Sequence, residues 1–150
     1  MTPITEEILA AIRKLIRASD VYSSKVRQLS GLTSAQLLLL RAIDNNPSPS
    51  LGELAHQISL SQATTSTILK RLESAGYTYK TRSENDRRRS QVFLTESGAE
   101  ALARAPKPLN QDFLDRFTDL KPYEQSAIVS SLQRVAEMMD DDAPADSDAA

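Results

Sequence analysis

Residues 50–76 read SLGELAHQISLSQATTSTILKRLESAG, and this stretch decides the fold. Ser50 and Glu53 stand three residues apart, the spacing at which a hydroxyl and a carboxylate satisfy exposed amides at a helix start. A short helix over Leu51 to about Ile58 follows. Ser61 is placed to cap a second helix, in which Ile68, Leu69 and Leu72 recur at helical spacing and which ends at Gly76. Two short helices in this rhythm predict a helix-turn-helix. Immediately afterwards Tyr77–Arg82 turns to strand-forming residues, a polar turn occupies Ser83 to Asp86, and Gln91–Leu94 reads as a second strand. Two strands with a basic tip make a wing.

Upstream, Ile8, Ile12, Leu15, Ile16, Ser19 and Val26 form one stripe, so Thr5 to about Leu29 is expected as a long helix broken at Gly31. Thr33 and Gln36 match a capping box, and a second helix runs to about Asp44, with Leu37 to Leu40 apolar all round as in a helix surrounded by protein. The turn formers Asn45 to Pro49 then redirect the chain. Downstream, Thr95 caps a helix beginning near Glu96, which Pro106 and Pro108 should kink or break. Helical spacing returns at Phe113, Leu114 and Phe117, and again from Pro122 through Ile128, Leu132, Val135 and Met139. The fold class is therefore mainly α with a small β-hairpin wing. One domain is read over residues 1–139, with the winged helix-turn-helix at 32–98 and an acidic tail at 140–150 expected to be disordered.

The net charge of −2 argues against nucleic acid only until the charges are placed. From Ser61 to Leu94 seven basic residues, Lys70, Arg71, Lys80, Arg82, Arg87, Arg88 and Arg89, face three acidic ones, Glu73, Glu84 and Asp86, a segment of net +4 in a remainder of net −6. A local basic surface matters more for phosphate binding than the whole-chain charge. With no cysteine there is no disulfide framework or thiolate metal site, and with a single histidine, His56, no zinc site can be built unaided. His56 is read as a surface or phosphate-contacting residue. No cofactor or metal is expected. No leader or membrane-length apolar run is apparent, which points to the cytoplasm.

A recognition helix needs small or polar side chains toward the major groove and apolar ones toward its own domain. The capping Ser61 is included among the DNA-contacting residues. Gln62 and Ser66 are candidates for base edges, Ala63 and Thr67 for thymine methyls, and Lys70 and Arg71 for phosphates. Thr65 is placed with Ile68, Leu69 and Leu72 on the inward side, yet is also counted among the DNA-contacting candidates. Arg82 and the Asp86–Arg87–Arg88–Arg89 cluster belong to the wing, where an arginine can enter the narrow, electronegative minor groove.

On these residues the chain resembles the MarR family of bacterial transcription regulators. Leu32–Thr33 with Gln36, then Leu54–Ala55, Ser61, Leu72–Glu73 and Gly76, and above all Asp86–Arg87–Arg88 followed by Leu94–Thr95 and Gly98, carry the likeness. The resemblance implies that Arg88 is the minor-groove arginine and that Asp86 positions it. It implies a homodimer in which residues 1–31 and 99–139 interlace, so that two readers straddle a pseudopalindrome on double-stranded DNA, usually as a repressor. Amphipathic helices outside the reader agree with that, and a two-fold dimer sets recognition helices about one DNA turn apart. Tyr77, Lys121 and the two prolines depart from the family pattern.

The resemblance also implies a small-molecule effector cleft, which would lie near Arg17, Asp20, Tyr22, Lys25 and Arg27; the polar face of an amphipathic helix accounts for the same residues. The absence of cysteine removes the peroxide-sensing chemistry of some relatives. The stretch Ile12–Asp20, continued by Ser24–Lys25, is similar to the branch controlling compatible-solute genes, which implies osmotic-stress control. A winged-helix protein-interaction module is the alternative, since fold alone does not fix function. An enzyme is not read, because no glycine-rich phosphate loop, metal cluster or nucleophile elbow is present.

Overall fold

The computed structural model describes residues 1–47, 49–82, 90–108 and 111–140. Contacts divide the chain into two units, Met1–Pro106 and Lys107–Ala150. The span 1–139, read from sequence as one domain, runs across both units.

The first unit opens with α1, Pro3–Ser30, which begins on a proline whose missing N–H costs a helix start nothing. It stops at Gly31, whose amide still donates to the Arg27 carbonyl at 2.9 Å while its positive φ of 74° turns the following chain out of the helix. Helix α2, Ser34–Asp44, starts with the full capping box: Gln36 N–H donates to Thr33 Oγ1 at 3.1 Å and Thr33 N–H to Gln36 Oε1 at 3.0 Å. The matching box at Ser50 and Glu53 starts α3, Leu51–Gln57. Helix α4, Gln62–Ser74, is capped by Ser61, whose Oγ accepts from the Thr64 amide at 3.1 Å.

Strands β1, Thr78–Arg82, and β2, Ser90–Leu94, pair antiparallel, with Thr78 opposite Leu94, Tyr79 opposite Phe93 and Lys80 opposite Val92. Side chains alternate across the sheet, so Thr78 and Val92 are buried while Tyr79 and Phe93 stack on the other face at 5.6 Å. Helix α5, Glu96–Arg104, leaves from the second strand and ends where Ala105 turns extended, one residue before Pro106. The proline pair breaks the helix rather than kinking it.

The core of this unit is built by Val26, Leu32, Leu37, Leu39, Leu40, Ile43, Leu54, Leu69, Leu72 and Val92. Leu38 departs from the sequence expectation of a helix covered all round: it is 45% exposed. Only the C-terminal part of α1 joins the core; Ile4, Leu15, Ile16 and Val21 remain more than half exposed.

In the second unit, α6, Gln111–Thr118, and α7, Pro122–Met139, are joined by the Gln125 amide, which donates to the carbonyls of Phe117 at 2.9 Å and Thr118 at 3.2 Å. Lys121 opens α7 with half a capping box: its ammonium cannot accept, but Glu124 Oε2 accepts from its main-chain N–H at 3.0 Å. No described residue of either helix is buried, and Phe113, Tyr123, Val129, Leu132 and Met138 all stand exposed.

Candidate nucleic-acid interface

The turn between α3 and α4 aims the recognition helix. Ser59 takes the left-handed conformation, φ 55°, so that its N–H reaches the His56 carbonyl at 3.2 Å and the Leu60 N–H reaches that of Ala55 at 3.0 Å. This closes α3 in a Schellman motif, a task usually given to glycine. Two residues later Ser61 starts α4 in its new direction.

On α4 the inner face is Thr65, Leu69 and Leu72, all buried, with Ile68 half-buried. Gln62, Ala63, Thr67, Lys70 and Arg71 are exposed, and Ser66 sits half-buried at the edge. Thr65 therefore comes off the DNA-contacting face. It is fully buried, its hydroxyl donates to the Ser61 carbonyl at 2.8 Å, and it shares the phase of Leu69 and Leu72. The Thr67 hydroxyl also bonds back, to the Ala63 carbonyl at 3.0 Å. The Ser61 hydroxyl is likewise committed, accepting from the Thr64 amide and donating to Thr64 Oγ1 at 2.9 Å.

Two supports were absent from the sequence reading. A Cβ at Gly52 would lie 3.2 Å from the Gln62 Nε2, so the Gln62 side chain leans over α3 at that position. A glycine inside a helix, which costs stability against alanine, was the available signal. The second is Lys80, whose Nζ lies 3.5 Å from Glu73 Oε1, tying the first wing strand to the flank of α4. Lys80, counted among the seven basic residues of the segment, therefore has a partner.

Arg82 is exposed at the end of β1. Asp86, Arg87, Arg88 and Arg89 lie outside the described residues. At the wing base Thr95 joins three segments: its Oγ1 donates to the Gly76 carbonyl at 2.5 Å and accepts from the Gly98 amide at 3.1 Å, while its N–H donates to the Tyr77 carbonyl at 3.0 Å. The hairpin is thus held to the end of α4 by the Thr95 hydroxyl and by the Tyr77 N–H, which donates to the Leu72 carbonyl at 2.9 Å.

Of the five effector candidates, Asp20 and Arg27 line one shallow depression on α1 with Ser23 and Ser24. Arg17 and Lys25 are exposed but do not line it. Tyr22 faces the domain instead, half-buried against the core with its hydroxyl accepting from Arg41. His56 is exposed in the last turn of α3. Among the described residues no three acidic or histidine side chains gather as a metal site, and no helix is long and apolar enough to cross a membrane.

The sequence pattern of the MarR family matches residues 32–90, from the start of the reader to the second wing strand. The HTH-type transcriptional regulator SarZ of Staphylococcus haemolyticus strain JCSC1435 is 30% identical over 104 residues, covering 69% of each chain. The transcriptional repressor CouR, solved bound to a 23-mer DNA duplex, is 31% identical with a TM-score of 0.57, covering 82% of this chain and 89% of its own. Bordetella bronchiseptica BpsR, whose DNA binding is regulated by 6-hydroxynicotinic acid, is 26% identical with a TM-score of 0.58, over 83% of this chain and 91% of its own. With the winged helix-turn-helix and these likenesses together, the chain belongs to the MarR family of transcription regulators.

Proposed function

We propose that the protein is a DNA-binding transcription repressor that acts in the cytoplasm as a homodimer on a pseudopalindromic operator. The observation that carries this reading is the two-faced α4. One side is sealed into the core by Thr65, Leu69 and Leu72, while Gln62, Ala63, Thr67, Lys70 and Arg71 are exposed on the other. Gln62 and Ser66 read base edges, Ala63 and Thr67 meet thymine methyls, and Lys70, Arg71 and Arg82 neutralise phosphates. Arg88, with Asp86 beside it in sequence and Arg87 and Arg89 flanking it, enters the minor groove. CouR, which binds a duplex, supports the assignment.

The dimer reading is supported by the uncovered apolar side chains of α1, α6 and α7, since such faces are rarely left to solvent in a monomer. Residues 1–31 and 99–139 supply the interface. A small-molecule effector belongs to the same proposal through BpsR, with Asp20 and Arg27 as the residues of the α1 set that share a depression. The likeness of Ile12–Asp20, continued by Ser24–Lys25, to the compatible-solute branch motivates a regulon of osmotic stress.

The test is a salt titration of binding to a duplex selected by the protein from host genomic fragments. Affinity should fall linearly on logarithmic axes with salt, as counterion release requires. Selection of no duplex, or a flat salt response, would overturn the reading; a monomer in light scattering would overturn its dimeric part.

A further inference from the structure

Arg41 lies half-buried on α2, and its guanidinium bridges two segments outside that helix. Nη1 donates to the Tyr22 hydroxyl on α1 at 3.2 Å, and Nη2 donates to the main-chain carbonyl of Pro106, just past the end of α5. Among the described residues it makes no ion pair. Both acceptors are neutral, so what the side chain supplies here is geometry: a planar fork whose donors point in fixed directions.

Helix α2 is the platform on which the recognition helix packs, through Leu37, Leu40 and Ile43 in the core shared with Leu69 and Leu72. Its N-terminal end is already fastened to α1 by Ser34 Oγ, which donates to Ser23 Oγ at 2.7 Å. Arg41 stands seven residues further on, about 10 Å along the helix at 1.5 Å per residue, and adds a second fastening to α1 together with one to the exit of α5. Added to the core packing of Leu37, Leu39, Leu40 and Ile43 with Val26, two polar attachments at that separation resist rotation of α2 against its flanking helices better than one.

We propose that Arg41 is a positioning residue for DNA binding, fixing the angle between the recognition-helix platform and the flanking helices, and thereby the separation of the two readers. This rests on the reading of the protein as a dimeric duplex reader. The rise per base pair is only about 3.4 Å, so a small rotation at the Arg41 bridge moves a reader by a sizeable part of a step. Arg41 acts without touching DNA, and its loss relaxes spacing rather than base preference.

The probe is a duplex selected by the wild-type protein from random-sequence DNA. It is then remade with one base pair added or removed between half-sites, and also as a single half-site. Wild type should discriminate sharply by spacing. In Arg41→Ala that discrimination should shrink by about 3- to 30-fold, the range for a lost coupling contact, while single half-site affinity stays within about twofold. Tyr22→Phe removes one arm and keeps the packed ring, so it should relax spacing in the same direction and less, and it serves if Arg41→Ala melts early. Full spacing discrimination in both variants overturns the positioning role and leaves the DNA reading standing. Equal losses on single and paired half-sites mark a merely structural residue and overturn it too. A wild-type protein that selects no duplex overturns the dimeric reading and the positioning role with it.

Discussion

Gly98, in the first turn of α5, sits against the main chain of Tyr77 so closely that a Cβ there would lie 2.1 Å from the Tyr77 carbonyl oxygen and 3.0 Å from its carbon. The obstacle is backbone, which Thr95 holds in place through its own bonds to Tyr77 and Gly76. No side-chain rotation relieves the clash. The same carbonyl marks the junction between the recognition helix and the first wing strand, so a shift there travels into the reader. Gly98→Ala should therefore cost about 3 kcal/mol, the upper part of the range for overpacking. Urea denaturation checks this; a midpoint equal to wild type would show that the contact yields cheaply.

Ser59 offers the opposite experiment. An L-residue in the left-handed region is disfavoured by about 1–2 kcal/mol, and glycine escapes that cost while losing more freedom on folding. Ser59→Gly should leave the protein unchanged or up to about 1 kcal/mol more stable, and Ser59→Val, β-branched, should destabilise it by about 2 kcal/mol. Thermal melts of the pair decide the matter: a valine variant as stable as wild type would mean that the turn has rearranged and re-aimed α4.

Ser59 also shows where sequence reading reaches its limit. Helix starts at Ser34, Leu51, Gln62 and Glu96 were legible because each cap is a local signal, written within four residues. Gly31 and Gly76 were legible stops for the same reason. Ser59 was not, because serine carries no mark of a positive φ. The bond from Arg41 to the Pro106 carbonyl spans 65 residues and leaves no periodic trace. Thr65 stood between two readings: its polarity suggested the groove, while its phase with Leu69 and Leu72 placed it inside, and burial follows phase. The wing arginines were legible as composition, and their setting depends on residues outside the described ones.

The Glu73–Lys80 pair joins the reader to its wing across 3.5 Å, with side chains 28% and 42% exposed. Solvent screens a pair this open, so its worth is about 0.3–1 kcal/mol. A double-mutant cycle with Glu73→Gln and Lys80→Gln should return a coupling in that range, shrinking as salt rises. Its consequence for DNA is larger than for stability. Glu73→Gln frees a wing cation beside the recognition helix, and the salt dependence of duplex affinity should steepen by up to about one released counterion. An unaltered slope would mean that Lys80 stays away from phosphate even when released.

Thr65 and Arg88 separate support of the reader from the reading itself. Thr65→Val keeps the volume of the buried side chain and deletes only the 2.8 Å bond from its hydroxyl to the Ser61 carbonyl. That should cost about 1 kcal/mol of stability, with the carbonyl still engaged by the Thr65 amide at 3.0 Å. Base preference in a selected duplex should stay as in wild type, because no Thr65 atom faces outward. Arg88→Ala bears on the reading itself and should weaken a specific site by about 1–3 kcal/mol. The two variants, compared on one operator at one salt concentration, assign the roles. A changed base preference in Thr65→Val would return that residue to the groove face, and an unchanged affinity in Arg88→Ala would remove the wing from the contact.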